Sequence, residues 1–418
     1  MKNSSYAGFY KLSMEERLNF VKDFSELDEA AVAAIKEPDA LNTNIADHMI
    51  ENVIGTYALP MGVALNFKIN DKDYVIPMVT EEASVVAAAS NAARLARPSG
   101  GFYTSEAGSI MIAQVQLTEI KDVEYTKTII IEHKKEILKR CNDQDPVLVK
   151  LGGGALDLEV RTVSSDIIGD FLVIHLKVNT LDAMGANAVN TMAEAIAPYI
   201  EEITGGKVYL RILSNLAVGR LVRARVKISK EDLGGEGVVD NIIKAYAFAK
   251  ADPYRAATHN KGIMNGISAV VLATGNDTRA IESGAHAYAA ISGRYTSLTA
   301  WEKDANGDLK GSIELPLALG LVGGATKIHP TAQAAIKILG VKTAKELSEV
   351  VAVVGLAQNF AAVRALATDG IQKGHMALHA KNVAITAGAT DDEVDKIVKQ
   401  MIADKKINVE YAKELLKK

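Results

Sequence analysis

A single cysteine in 418 residues, Cys141, rules out an intrachain disulfide framework and any metal site built from clustered thiolates. It stands in L-K-R-C-N at the end of a predicted helix, where a packed thiol is expected. Aromatic residues make up 5% of the chain, so the core must be assembled mainly from Ala, Val, Leu and Ile. A net charge of −4 offers no basic face for nucleic acid. No unbroken apolar run approaches the roughly 20 residues that span a bilayer, and M-K-N-S-S-Y-A-G-F-Y lacks the apolar centre of a signal peptide. A cytoplasmic protein is expected. Also missing is G-x-G-x-x-G between a strand and a helix, which excludes a Rossmann fingerprint. The L-G-G-G at 151–154 leads into a strand and has no helix to receive a pyrophosphate.

What is present describes a globular chain long enough for two or three domains, 48% hydrophobic and 23% charged. Residues 14–55 read as short helices, the first started by Ser13 ahead of Glu15 and Glu16. The Ala-rich stretch 83–97 reads as a buried helix stopped by Pro98, Gly100 and Gly101. From 110 to 215 the periodicity changes. A strand at 111–120 precedes a charged helix at 126–141 with Ile129, Ile130, Ile137 and Leu138 inward. An alternating strand at 156–163 puts Leu156, Leu158 and Val160 on one side, and a strand follows at 171–178. A helix at 189–203, closed by Gly205 and Gly206, leads to a last strand at 208–213. That β-α-β-β-α-β order is the ferredoxin-like plan. The expected class is α+β, with this unit (110–215) inserted in a helix-rich large domain (1–109 and 216–374). Thr390 and Glu393 predict a capping box for a helix carrying Val394, Ile397, Val398, Met401 and Ile402. By its residues the tail 375–418 is either a packed helix or a flap hinged at Gly370, Gly374 and Gly388.

Four charged or titratable residues stand out. Lys261 lies in A-T-H-N-K-G-I-M-N-G (257–266), Asp277 in T-G-N-D (274–277) and Glu82 in P-M-V-T-E-E-A-S (77–84). His375 lies in G-H-M-A-L-H (374–379). Ions among small uncharged residues are costly unless paired, and this set suits proton transfer beside a polarised carbonyl. Glu81 and Glu82 point to opposite faces of an extended segment, so only one is expected to be catalytic. His379 shares a helix face with His375, but there is no H-E-x-x-H glutamate, and no metal is expected. D-A-M-G-A-N (182–187) follows a predicted strand and opens a helix. Gly185 there would let a phosphate approach the free N–H groups of the helix end.

In this order these segments, together with E-N-V-I-G (51–55), resemble the hydroxymethylglutaryl-coenzyme A (HMG-CoA) reductase family from about residue 40 onward. Without a membrane region the resemblance is to its class II, mostly prokaryotic branch. It implies reduction of a thioester to an alcohol by two hydride transfers, through a hemithioacetal and mevaldehyde, with coenzyme A released between them. It selects Glu82 over Glu81 as the proton donor to the final alkoxide. Lys261 becomes the cation on the carbonyl oxygen, His375 the acid for the leaving thiolate, and Asp277 the carboxylate expected beside Glu82, orienting Lys261.

For the dicarboxylate end of the substrate, Ser84, Arg255 and Asn265 match family positions. Lys11 stands near where relatives offer an arginine to the phosphates of coenzyme A. The resemblance assigns Asp182, Met184, Gly185, Asn187 and Asn215 to the dinucleotide. Asp145, in D-Q-D-P (143–146), favours NAD(H) over NADP(H), because an acidic side chain suits a ribose hydroxyl and a cation suits the extra phosphate. Leu151 points the same way, standing where phosphate-preferring relatives carry arginine; Lys150 points the other. E-N-V-I-G implies a dimer interface beside the active site, hence a homodimer or an assembly of dimers. The resemblance also favours a mobile flap over a static tail. A non-catalytic acyl-CoA or nucleotide-binding protein on this scaffold is the alternative, which loss of Glu82, Lys261, Asp277 or His375 would favour. A hydrolytic acyl-CoA enzyme would have no need of residues 182–187.

Overall fold

The computed structural model describes residues 2–37, 40–105, 108–368 and 380–417. Among them ten strands form two sheets. The larger is built from β1 (Met61–Ile69), β2 (Lys72–Val79), β3 (Phe102–Ser105), β8 (Leu221–Ile228), β9 (Thr299–Lys303) and β10 (Leu309–Pro316), in the order β2-β1-β3-β8-β10-β9. Only the β1–β3 pair is parallel. The helices Val85–Ala96, Pro253–Ala273 and Ala344–Ala367 share its core with Ile76, Met78, Phe102 and Val226. Small residues set the spacing there: a Cβ on Gly266 would lie 2.9 Å from Gln358 Cβ, so the helices Pro253–Ala273 and Ala344–Ala367 pack closely.

The second sheet holds β4 (Ile110–Thr118), β5 (Gly154–Ser165), β6 (Gly169–Asn179) and β7 (Lys207–Leu213), ordered β5-β6-β4-β7 and antiparallel throughout. That is the ferredoxin-like order. Helix Ala186–Thr204 buries Val189, Met192, Ala193, Ile196 and Ile200 in a core of its own with Met111, Val115, Ile174 and Leu176. Cys141 belongs to this core; burial pushes its thiol up to about 12.

Two details differ from the sequence reading. The helix expected over 126–141 is two, Val123–Glu132 and Lys134–Asn142, parted at His133, whose φ −88° and ψ 5° leave the helical region. In β5 a register shift between Ala155 and Asp157 interrupts the alternation. Leu156 is consequently 54% exposed, while Ala155, Leu158 and Val160 are buried.

Helix Ala344–Ala367 corrects the reading of membrane potential. By length and composition it is apolar enough to cross a bilayer, and it is the only such helix among the described residues. Counting unbroken runs missed it because Ser348, Gln358 and Asn359 interrupt the apolar residues. It lies largely buried in the main core, with Val350, Val354, Leu356 and Phe360 at 1% exposure or less.

The expected capping box at Thr390 is present, and Ser13, expected only as a helix start, forms a second one with Glu16. Ser13 N donates to Glu16 Oε2 (2.7 Å) at helix Met14–Ser25, and Thr390 N donates to Glu393 Oε2 (2.9 Å) at helix Asp391–Ala403. Val394, Ile397, Val398 and Met401 pack with Ala380, Val383 and Ala412 as a separate small core. His375, His379, Gly370 and Gly374 lie outside the described residues.

Candidate active site

Helix Pro253–Ala273 begins with Asp252 accepting from Arg255 N (2.8 Å) and Pro253 in its first turn. Its periodicity separates neighbours in the motif. His259 and Asn260 turn inward, at 2% and 0% exposure, whereas the Lys261 side chain is 60% exposed. The lysine is therefore on the open face of the helix and not enclosed with its neighbours. It is paired as expected of an ion: Lys261 Nζ lies 2.6 Å from Glu82 Oε2. One turn on, Asn265 Nδ2 donates to Glu82 Oε1 (3.2 Å). Glu82 is held in the turn after β2, where its N–H donates to Thr80 Oγ1 (3.1 Å). Glu81 is exposed.

Asp277 is engaged elsewhere. As N-cap of helix Thr278–Ala289 it accepts from Arg279 N (2.9 Å) and Ala280 N (3.1 Å), and it pairs with Arg279 Nη2 (3.1 Å). No hydrogen bond or ion pair joins it to Lys261 or Glu82 among the described residues. The expected orienting contact to Lys261 is thus made by Glu82, because the helix N-terminus claims the Asp277 carboxylate.

A groove of about 1940 Å³ is lined by Ser84, Asp277, Asp145, Met184, Gly185 and Asn187. Ser84 has φ 76° and does not cap its own helix, and its buried Oγ has no partner. Arg255 is half-buried with no acidic partner among the described residues, and burial lowers the pKa of its guanidinium. Lys11 is exposed, in the turn Phe9–Lys11 with its ammonium 5.8 Å from the Tyr10 ring centre, and is not a groove residue. Arg17 is one: its Nη2 donates to Tyr10 O (3.0 Å) and its buried Nε has no partner. The sequence offered a signal for it, since no other arginine precedes Arg94.

The segment around Gly185 fits a phosphate. Gly185 has φ 92°, and a Cβ there would lie 2.3 Å from Thr180 Cγ2, so only glycine forms this turn. It opens the 19-residue helix Ala186–Thr204, whose first turn no side chain caps. Asp182 is not turned to that groove. Its Oδ1 accepts from Ala344 N (2.8 Å) and its carbonyl from Leu321 N (2.9 Å), fastening the loop to the larger sheet's side. Asn215 is exposed and outside the groove lining. Asp145 lines the groove, but its Oδ1 also caps the short helix Pro146–Lys150 through Leu148 N (2.8 Å). Leu151 is 69% exposed.

Sequence reasoning missed the network beneath Lys261. Asn359 Oδ1 accepts from Trp301 Nε1 (2.8 Å) and Thr299 Oγ1 (2.9 Å), which leaves its Nδ2 to donate to His259 Nε2 (3.1 Å). Thr299 Oγ1 and Ser297 Oγ also lie 2.8 Å from His259 Nε2, while the buried Nδ1 has no partner. Burial, with Arg255 nearby, lowers the pKa of His259 to about 4. The unfolded imidazole binds a proton at higher pH than the folded one. Stability is therefore fully present above about pH 6.5 and is lost as pH falls toward 4, by about 3 kcal/mol. Urea unfolding at pH 7 and pH 4.5 checks this: the loss should shrink markedly in His259→Gln, and equal losses would refute it.

The family model described as "Hydroxymethylglutaryl-coenzyme A reductase" matches residues 13–380. The chain is 59% identical over 416 residues to the 3-hydroxy-3-methylglutaryl-coenzyme A reductase of Archaeoglobus fulgidus, covering 100% of this chain and 95% of that protein. It is 35% identical over 392 residues to a probable reductase of the same name from Borreliella burgdorferi, covering 90% and 88%. A solved structure of the reductase from Streptococcus pneumoniae matches with TM-score 0.85 and 42% identity over 99% of each chain. Another, of the class II enzyme from that organism bound to NADPH in open conformations, matches with TM-score 0.84 and 41% identity, over 87% of this chain and 100% of that one.

Proposed function

The chain belongs to the hydroxymethylglutaryl-coenzyme A reductase family, and from that premise we propose that it interconverts HMG-CoA with mevalonate and coenzyme A. Two hydride transfers, with a hemithioacetal and mevaldehyde between them, make up the reaction. The 2.6 Å pairing of Lys261 with Glu82 carries this reading. When hydride reaches the carbonyl carbon, negative charge grows on the oxygen. The Lys261 ammonium has three N–H donors, and one directed at Glu82 leaves two for that oxygen. Glu82, after taking up a proton from solvent through its part-exposed carboxyl, gives it to the final alkoxide and returns to the carboxylate that pairs with Lys261. Arg255, Asn265 and Ser84 bind the substrate carboxylate, a role that the unpartnered Ser84 hydroxyl supports. His375, on a flap formed by 375–418, protonates the departing thiolate.

A nicotinamide dinucleotide supplies the hydrides when bound at the N-terminus of helix Ala186–Thr204 through Met184, Gly185 and Asn187. Asp145 in the groove lining supports NAD(H) as the preferred form. We assign this binding to an inserted domain (110–215), and catalysis to the remainder of 1–109 and 216–374. The protein acts in the cytoplasm as a homodimer. Residues 53–60 form neither helix nor strand, with Ile54 fully exposed and Tyr57 89% exposed, as suits an arm covered by a second subunit. A monomer in sedimentation at assay concentration would refute the dimer.

The test mixes purified protein with mevalonate and coenzyme A, and with NAD⁺ or NADP⁺ separately, and follows reduced-nicotinamide absorbance. Formation with NAD⁺ is expected to exceed that with NADP⁺. The reverse order would overturn the role of Asp145 alone. No signal with either cofactor, in both directions and with a dimer verified, would favour a non-catalytic acyl-CoA or nucleotide-binding protein.

A further inference from the structure

Arg220 is 2% exposed, yet no carboxylate forms an ion pair with it among the described residues. It directs Nη1 to Leu319 O (3.0 Å) and Nη2 to Ala183 O (2.6 Å) and Thr180 Oγ1. Asp182, whose charge acts on the guanidinium, accepts from Ala344 N instead of pairing with it. A buried guanidinium with only neutral acceptors is an expensive way to join two segments, and an apolar residue would fill the space with less penalty. Its acceptors are not arbitrary, however. Thr180 and Ala183 belong to the turn that ends in Gly185, and the Thr180 side chain is the surface against which Gly185 packs. The segment after β10 closes the turn from the other side. Leu321 N donates to Asp182 O, Ala183 bridges to Val322, and a Cβ on Gly320 would lie 2.6 Å from Met184 N.

We propose that Arg220 is a positioning residue for the phosphates of the nicotinamide dinucleotide. It holds the 180–185 turn in the shape that admits a pyrophosphate to the Ala186–Thr204 helix N-terminus, and it sets a fixed positive charge beneath that turn. Charge and helix dipole act in the same direction on an anion. The inference rests on the reading of that helix end as the dinucleotide site.

The full-length protein tests both layers. Arg220→Met is expected to raise the dissociation constant for reduced dinucleotide, measured by its fluorescence, by about tenfold or more. It should also flatten the salt dependence of that constant and leave KM for HMG-CoA within about twofold. Arg220→Lys, which keeps the charge and loses the planar fork, should give a smaller rise with the wild-type salt dependence. If Arg220→Met does not fold, Arg220→Lys decides by the same comparison of the two substrates. An unchanged dinucleotide constant, or equal losses for both substrates, overturns the proposal. Gly185→Ala separates it from its premise. Abolished dinucleotide binding in Gly185→Ala with normal binding in Arg220→Met removes only the role of Arg220. Unaffected binding in Gly185→Ala removes the site reading and the proposal with it.

Discussion

Lys261→Met is expected to lower kcat about a thousandfold, equivalent to about 4 kcal/mol of transition-state stabilisation. The methionine chain, one atom shorter, keeps the unbranched stem of the lysine and removes the donors that would face a developing oxyanion. Stability should hardly change, because the ion pair with Glu82 is largely exposed and such pairs contribute about 0–1 kcal/mol. Charge forms on oxygen in both hydride transfers, so HMG-CoA and mevaldehyde should lose rate alike. Urea unfolding and steady-state kinetics on one preparation separate folding from chemistry. A variant within tenfold of wild type on both substrates would remove Lys261 from the mechanism.

Glu82→Gln is the second large effect, expected at about a hundredfold to a thousandfold in kcat. The amide occupies the same space and its oxygen still accepts from Asn265 Nδ2, so the geometry of the turn after β2 should survive. What disappears is a carboxyl that can carry the proton and, in its ionised form, holds Lys261 at 2.6 Å. Mevaldehyde reduction is the informative reaction, because it ends on the alkoxide that Glu82 is proposed to protonate. Slow reduction of HMG-CoA beside undiminished reduction of mevaldehyde would assign the final proton to another group. Glu82→Asp retains a carboxyl but shortens its reach, and recovery of rate in that variant would speak for proton donation over the placing of Lys261.

Legibility of the fold followed the strength of local signals. The β-α-β-β-α-β order was readable because each element in 110–213 has its own periodicity and glycine stops, and the observed strand order agrees. Two local failures have local causes: His133 breaks a helix that composition alone continues, and the shift after Ala155 turns Leu156 outward. Ala344–Ala367 was overlooked as a long apolar helix because scattered polar residues hide it from a count of runs. Those residues are used inward. Ser348 Oγ bonds Ala344 O (2.8 Å), and Asn359 ties Trp301 to His259.

The residue types of the candidate site could be read from the chain, but their partners could not. Lys261 and Glu82 stood out as ions in weakly charged segments, and the choice of Glu82 over Glu81 came from family resemblance. The sequence by itself determined the family and the α+β class, since these depend on motif order and periodicity; that position 185 admits only glycine came from its φ of 92° against Thr180. Tertiary structure decided that Lys261 pairs with Glu82 across 179 positions, that Asp277 caps a helix, and that Asp182 fastens Ala344. It also put Arg220 beneath the 180–185 turn, 37 residues from Ala183 in sequence. A carboxylate goes to whichever donors the packed elements bring within about 3 Å, and a single sequence does not contain that distance.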